Sequence, residues 1–275
     1  MTRKQALPKE TSSLFVIIHV LLLLVWVGGA MYVVQFILAR ITLITVGANI
    51  TERPGALAWY YILSDLLTAS VIILLPKFLL PRLIPQPVIS KPSKKKLSKK
   101  TWWKEIAHEL GLKDLPTWSD IGLALVSYIA YLVLALILTS FFNIFPWFNS
   151  NEAQNVGFGM FMSRQELILA FFSTVVITPI IEEVVFRGFL YGKLREVLAE
   201  KISNEASIII SVILTSALFG LMHGQWNVGV DVFGLSVILC LLREITGTIH
   251  AGILLHILKN GIAFYLVFVL GAGLL

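Results

Sequence analysis

Three ionisable residues sit inside one long apolar run. Glu182, Glu183 and Arg187 fall within Glu166 to Leu190, in the stretch TPIIEEVVFRGFLY from Thr178 to Tyr191, and the run is long enough to cross a bilayer. Charge is expensive there, so each group is a candidate for function. Glu183 and Arg187 are four apart with the carboxylate on the N-terminal side, the better order for an ion pair on one helix face. Glu182 lies about 100° round the helix from its neighbour, so it lacks that partner and must face the bundle interior or water. A carboxylate held in an apolar site shifts towards neutrality, where it can take a proton from water and return it to a leaving group. Pro179 removes a backbone donor and kinks or opens the helix, freeing a carbonyl that needs another partner. The competing account is a structural charge cluster that stitches helices together.

Two further polar sites follow. The run Phe219 to His223, FGLMH, closes the next apolar segment with a histidine, and Gly220 and Gly224 bracket it with the G-x-x-x-G spacing that permits close helix approach. The last apolar segment opens with His250 and carries His256 and Asn260, four apart and therefore on one face. Each alone reads as a satisfied interhelical hydrogen bond. Together, a carboxylate, two histidines and an amide donor are the parts needed to activate a water and stabilise an oxyanion.

Competing chemistries are weaker. Zinc could be held by Glu182, His223 and His256, but H-E-x-x-H is absent and the ligands would have to assemble from three helices. No G-x-S-x-G is present, and Ser211, Ser216 and Ser236 have no basic partner at helical spacing. Cys240, the single cysteine, lies among leucines and reads as packing; it excludes an internal disulfide.

The elements that must position these groups are membrane helices. The chain has 275 residues, 57% of them hydrophobic and 14% charged, which is the composition of an all-α, polytopic transmembrane bundle. Hydropathy gives seven spans, roughly 14–39, 57–80, 120–142, 166–190, 206–223, 228–242 and 249–273; an eighth, half-crossing segment would escape such windows. The first run is too long for a signal-peptide core. The net charge of +6 does not argue for nucleic acid, because the excess sits in loops. Arg3, Lys4 and Lys9 lie in the N-terminal tail, eight basic residues lie in the 82–104 linker, and Lys193, Arg195 and Lys201 follow the fourth span. The positive-inside rule then puts the N-terminus in the cytoplasm and the C-terminus outside; in a prokaryotic host the membrane would be the plasma membrane. The linker reads as a lipid-surface segment ending in an interfacial Trp102–Trp103 pair, with a short interfacial helix over 101–115. Residues 1–119 thus form an N-terminal membrane region and 120–275 the bundle carrying the polar motifs. Asn49-Ile50-Thr51 is a glycosylation sequon by pattern alone, and internal repeats are not evident.

In order, Glu182-Glu183-x-x-x-Arg187, Phe219-x-x-x-His223 and His256-x-x-x-Asn260 resemble the CAAX-processing and bacteriocin-processing endopeptidases, also called the abortive-infection family. The resemblance covers about residues 166–265. It implies an intramembrane endopeptidase whose site opens to the cytoplasmic side, without a cofactor. In it Glu182 and His223 activate the attacking water, His256 and Asn260 form the oxyanion hole, and Glu183 and Arg187 support them. The substrate would be a peptide or protein, lipidated in the CAAX-type members. Members that trim prenylated C-a-a-X ends carry more histidines after the second motif, whereas here Gly224-Gln225-Trp226 follow His223. That favours the prokaryotic peptide-processing branch. The rivals are a catalytically silent adaptor or immunity protein of the same fold and a proton-coupled transporter, for which no inverted repeat is visible.

One geometric tension comes with the assignment. At about 1.5 Å per residue, Glu182 lies about 16 Å above Lys193 and His256 about 13 Å above Gly247. His223 would lie about 25 Å up if its helix starts at the membrane edge near Ala206. The fifth helix must begin in the cytosol or tilt strongly for the site to close.

Overall fold

The computed structural model describes residues 13–47, 50, 53–83, 99–113, 115–152, 158 and 162–271. The N-terminal basic tail, most of the 82–104 linker, and Asn49 and Thr51 of the sequon lie outside them. Among the described residues the chain is helical. Its elements are α1 (Ser13–Thr45), α2 (Pro54–Leu83), α3 (Lys99–Glu109), α4 (Trp118–Phe142), α5 (Arg164–Leu198), α6 (Asn204–Leu221), α7 (Trp226–Thr246) and α8 (His250–Val269). All seven expected spans are helices, and the short helix expected over 101–115 is α3.

Six of these, all but α3 and α7, are long and apolar enough to cross a membrane. This is the build of a multi-pass integral membrane protein, with Val25, Tyr32, Ile44, Val126, Ile129 and Leu136 on its exposed apolar surface. Although α7 reads as a span, it sits inside the bundle. Val228, Val232, Leu235, Leu239 and Leu242 are all buried along it, against α6 on one side and α4 on the other. The tip of α3 is also inserted, with Ile106 and Leu110 in the same core cluster as Val185, Phe189 and Leu194.

Local signals set the helix ends. Ser163 caps α5 through Glu166 N, and Glu166 Oε2 accepts in return from Ser163 N, a reciprocal capping box. Gly247, at φ 68°, ends α7 in the left-handed conformation, which costs glycine little. The G-x-x-x-G reading of Gly220 and Gly224 is half correct. A Cβ on Gly220 would meet the Gly229 carbonyl oxygen at 2.7 Å, and one on Gly229 would meet that of Gly220 at 3.0 Å, so α6 and α7 touch backbone to backbone there. Gly224 packs against nothing within 4 Å and instead turns the chain at φ 68°. Of the other pair, a Cβ on Gly188 would meet the Leu110 carbonyl oxygen at 2.9 Å, whereas one on Gly192 would meet nothing within 4 Å.

The depth tension resolves in the structure, where Glu182 and His223 line one cavity. Ser207 at the start of α6 accepts from Arg195 Nη1 at 2.5 Å, so the two helices share a reference level. Counting from it at 1.5 Å per residue, Glu182 stands about 20 Å away and His223 about 24 Å. The remaining difference is closed because the His223 ring folds back one turn, with Nδ1 2.8 Å from the Phe219 carbonyl oxygen.

Gly220→Ala is therefore expected to overpack the α6–α7 contact at a cost of about 1–3 kcal/mol, read as a lower unfolding midpoint in detergent. Gly192→Ala, in open helical space, is expected to be neutral or stabilising by up to about 1 kcal/mol.

Candidate active site

The polar centre is built on α5, whose helix is irregular on both sides of the glutamates. Phe172–Ile177 and Val184–Tyr191 are π-helical, and Thr178–Glu183 between them is α-helical. Such bulges gather at functional sites. Here the first has a visible cause and use. Thr178 N bonds to Ser173 O, five residues back, and Pro179 has no donor to offer, so the Thr174 carbonyl is released from the ladder. Asn260 Nδ2 donates to that carbonyl at 3.1 Å. The partner demanded by the freed backbone is thus the amide on α8.

Glu183 and Arg187 form the ion pair their spacing implies, Nη1 to Oε1 at 2.7 Å, and neither side chain is exposed at all. His256 Nδ1 lies 3.0 Å from the same Oε1. A carboxylate only accepts, so Nδ1 carries the proton and the ring is fixed. Its Nε2 then points at Glu182, 3.6 Å from Oε2. Room for this packing comes from Gly252, where a Cβ would sit 3.2 Å from Glu183 Oε2. The Arg187 guanidinium carbon lies 4.5 Å over the Phe219 ring, which ties the pair to α6.

Glu182 faces the other way, as the helical angle requires. It lines a cavity of about 150 Å³ together with His223, Phe219 and Met222 from the α6 end and Asp65 and Thr68 from α2. The Phe219 carbonyl can only accept, so His223 donates from Nδ1 and its Nε2 carries the lone pair. Met31 and Gln35 of α1 complete the far wall. The N-terminal helices therefore help to enclose the polar centre. A carboxylate and a neutral imidazole nitrogen around a space of this size can hold and deprotonate a water.

Sequence reasoning missed three ionisable residues. Asp65 accepts from the Thr178 hydroxyl at 2.5 Å. Asp231 on α7 accepts from Tyr131 at 2.7 Å and lies 3.4 Å from Lys259 on α8. Charge inside an apolar helix was the available signal. Among the described residues no three His, Cys, Asp or Glu side chains are grouped as a metal site. Cys240 is buried, as its leucine neighbours imply.

Comparison with known proteins bears on the stretch of chain that carries this centre. The family model described as type II CAAX prenyl endopeptidase Rce1-like matches residues 164–262, so that part of the chain, which holds all seven residues of the three motifs, is similar to the CAAX-protease family. A curated relative, the membrane-embedded CAAX protease MroQ of Staphylococcus aureus (strain USA300), is 28% identical over 144 residues. The aligned part is 52% of this chain and 55% of the relative, about half the length of each. No solved structure matches.

Removing one partner of the buried pair is expected to be severe. Arg187→Met leaves Glu183 charged and unpaired, at a cost of about 3–5 kcal/mol, whereas Glu183→Gln with Arg187→Met is expected to recover most of the loss. Unfolding midpoints of the single and double variants in detergent check this.

Proposed function

We propose that the chain is an intramembrane endopeptidase that uses Glu182 to activate the attacking water. The observation that carries this is the shared cavity: Glu182 and His223, from separate helices, face one space of about 150 Å³, large enough for water, while Glu183, Arg187 and His256 brace the reverse side. Glu182 takes a proton from water and the oxygen attacks the scissile carbonyl carbon. His223 Nε2 accepts the water's second hydrogen as a hydrogen bond and so aims the lone pair. The tetrahedral oxyanion then collapses, the C–N bond breaks, and the proton held by Glu182 passes to the leaving amine.

His256 is suited to face the oxyanion. Its Nδ1–H is committed to Glu183, so Nε2, 3.6 Å from Glu182, is the ring nitrogen on the reacting side and donates to the oxyanion when it carries a proton. Asn260 holds the unwound Thr174 segment; its second N–H is available as a further donor to the oxyanion. Glu183 and Arg187 position the others. Every proton in this step is carried by a side chain or by the water, and none of it requires a metal.

The substrate is a peptide segment of a membrane-associated protein, and the single histidine of the Phe219–His223 motif favours the prokaryotic peptide-processing type over C-terminal CAAX trimming. Chain similarity supports the peptidase class through a relative whose printed name is that of a membrane-embedded CAAX protease.

The test is cleavage of a quenched peptide library, prenylated members included, by the purified chain in detergent. Glu182→Gln is expected to lower kcat about 100- to 10,000-fold, and a strong chelator is expected to change nothing. Chelator-sensitive cleavage would move Glu182, His223 and His256 to a zinc site. Wild type and variant equally inert on every peptide would leave an adaptor.

A further inference from the structure

The wall of the cavity opposite Glu182 comes from α2, outside the stretch that matches the family model. Asp65 and Thr68 are three residues apart on one face of that helix and both line the cavity. Asp65 Oδ2 is occupied by the Thr178 hydroxyl, and its other oxygen takes no hydrogen bond from the described residues. Thr68 is 5% exposed, yet its Oγ1 has no hydrogen-bond partner. A helical threonine ordinarily returns its hydroxyl to the carbonyl a turn back. A buried hydroxyl left open beside a half-used carboxylate is costly unless something else fills the requirement. The cavity lining holds no lysine or arginine to do so.

An extended peptide brings what this wall lacks. Its main-chain N–H groups, drawn out of water into an apolar bundle, must each find an acceptor. We propose that Asp65 and Thr68 bind the substrate peptide through its main-chain N–H groups and so set the scissile carbonyl against Glu182. This rests on the peptidase assignment above. It makes α2, and not only the family-like half of the chain, part of the substrate site. A merely structural Asp65 would need only the oxygen that receives Thr178.

Steady-state kinetics of the full chain on a peptide that wild type cleaves tests this. In Asp65→Asn the amide oxygen still accepts from Thr178, and an N–H₂ group replaces the free oxygen, reversing its polarity at the same shape. Thr68→Val removes the hydroxyl at the same shape. Each is expected to raise KM about tenfold with kcat changed less. A series of peptides N-methylated one position at a time is expected to show one position where methylation raises KM in wild type and adds nothing in Asp65→Asn.

Unchanged KM in both variants would overturn the proposal, because a structural role predicts that outcome, with Thr68→Val at least as stable as wild type. Sensitivity to Asp65→Asn that follows a lysine or arginine of the substrate rather than N-methylation would overturn it in favour of a cation subsite. Glu182→Gln abolishing cleavage while both α2 variants behave as wild type would overturn this inference alone. A wild type that cleaves no peptide would remove the peptidase assignment and this inference with it.

Discussion

A buried ion pair organises the membrane core. Glu183 and Arg187 are both fully enclosed, and neither could stay charged there without the other. The same Glu183 oxygen also receives His256, so one carboxylate fixes α5 to α8 and sets the tautomer of the imidazole that faces Glu182. Arg187 in turn lies over Phe219, one turn before His223. Three motifs that are far apart in the chain are thus held in register by a single interaction and its immediate contacts.

The second constraint is the backbone of α5. Two π-helical segments flank Thr178–Glu183, and the released Thr174 carbonyl is capped by Asn260. In a bilayer an unpaired carbonyl has no water to fall back on, so the unwound segment and the amide on α8 depend on each other. Close helix approach does the remaining work. Gly220 against Gly229 sets α6 on α7, and Gly252 leaves space for Glu183. The site is a consequence of small residues as much as of charged ones.

Much of this was legible from spacing. A spacing of four from Glu183 to Arg187 and from His256 to Asn260 placed each couple on one face, and apolar runs located every long helix. Other parts were not legible because they depend on what the helices meet. The apolar stretch of α7 over 228–242 reads as a span, and only its neighbours α6 and α4 show that it is enclosed. Gly224 has the spacing of a packing glycine and acts as a turn. Asp65, Asp231 and Lys259 carried the signal of charge in an apolar helix but had no spaced partner within their own segment, since their contacts lie on other helices. The apparent mismatch in the depth of His223 is removed by the shared level that Arg195 and Ser207 set and by the fold-back of the ring to Phe219, neither of which spacing encodes.

The central claim is that Glu182 and His223 act on one water. A double-mutant cycle on kcat/KM, with Glu182→Gln, His223→Gln and the pair together, tests it most directly. Groups that act as a unit are strongly non-additive. The account predicts a double variant about as slow as the slower single variant; losses that multiply would show that the two residues serve separate steps and contradict it.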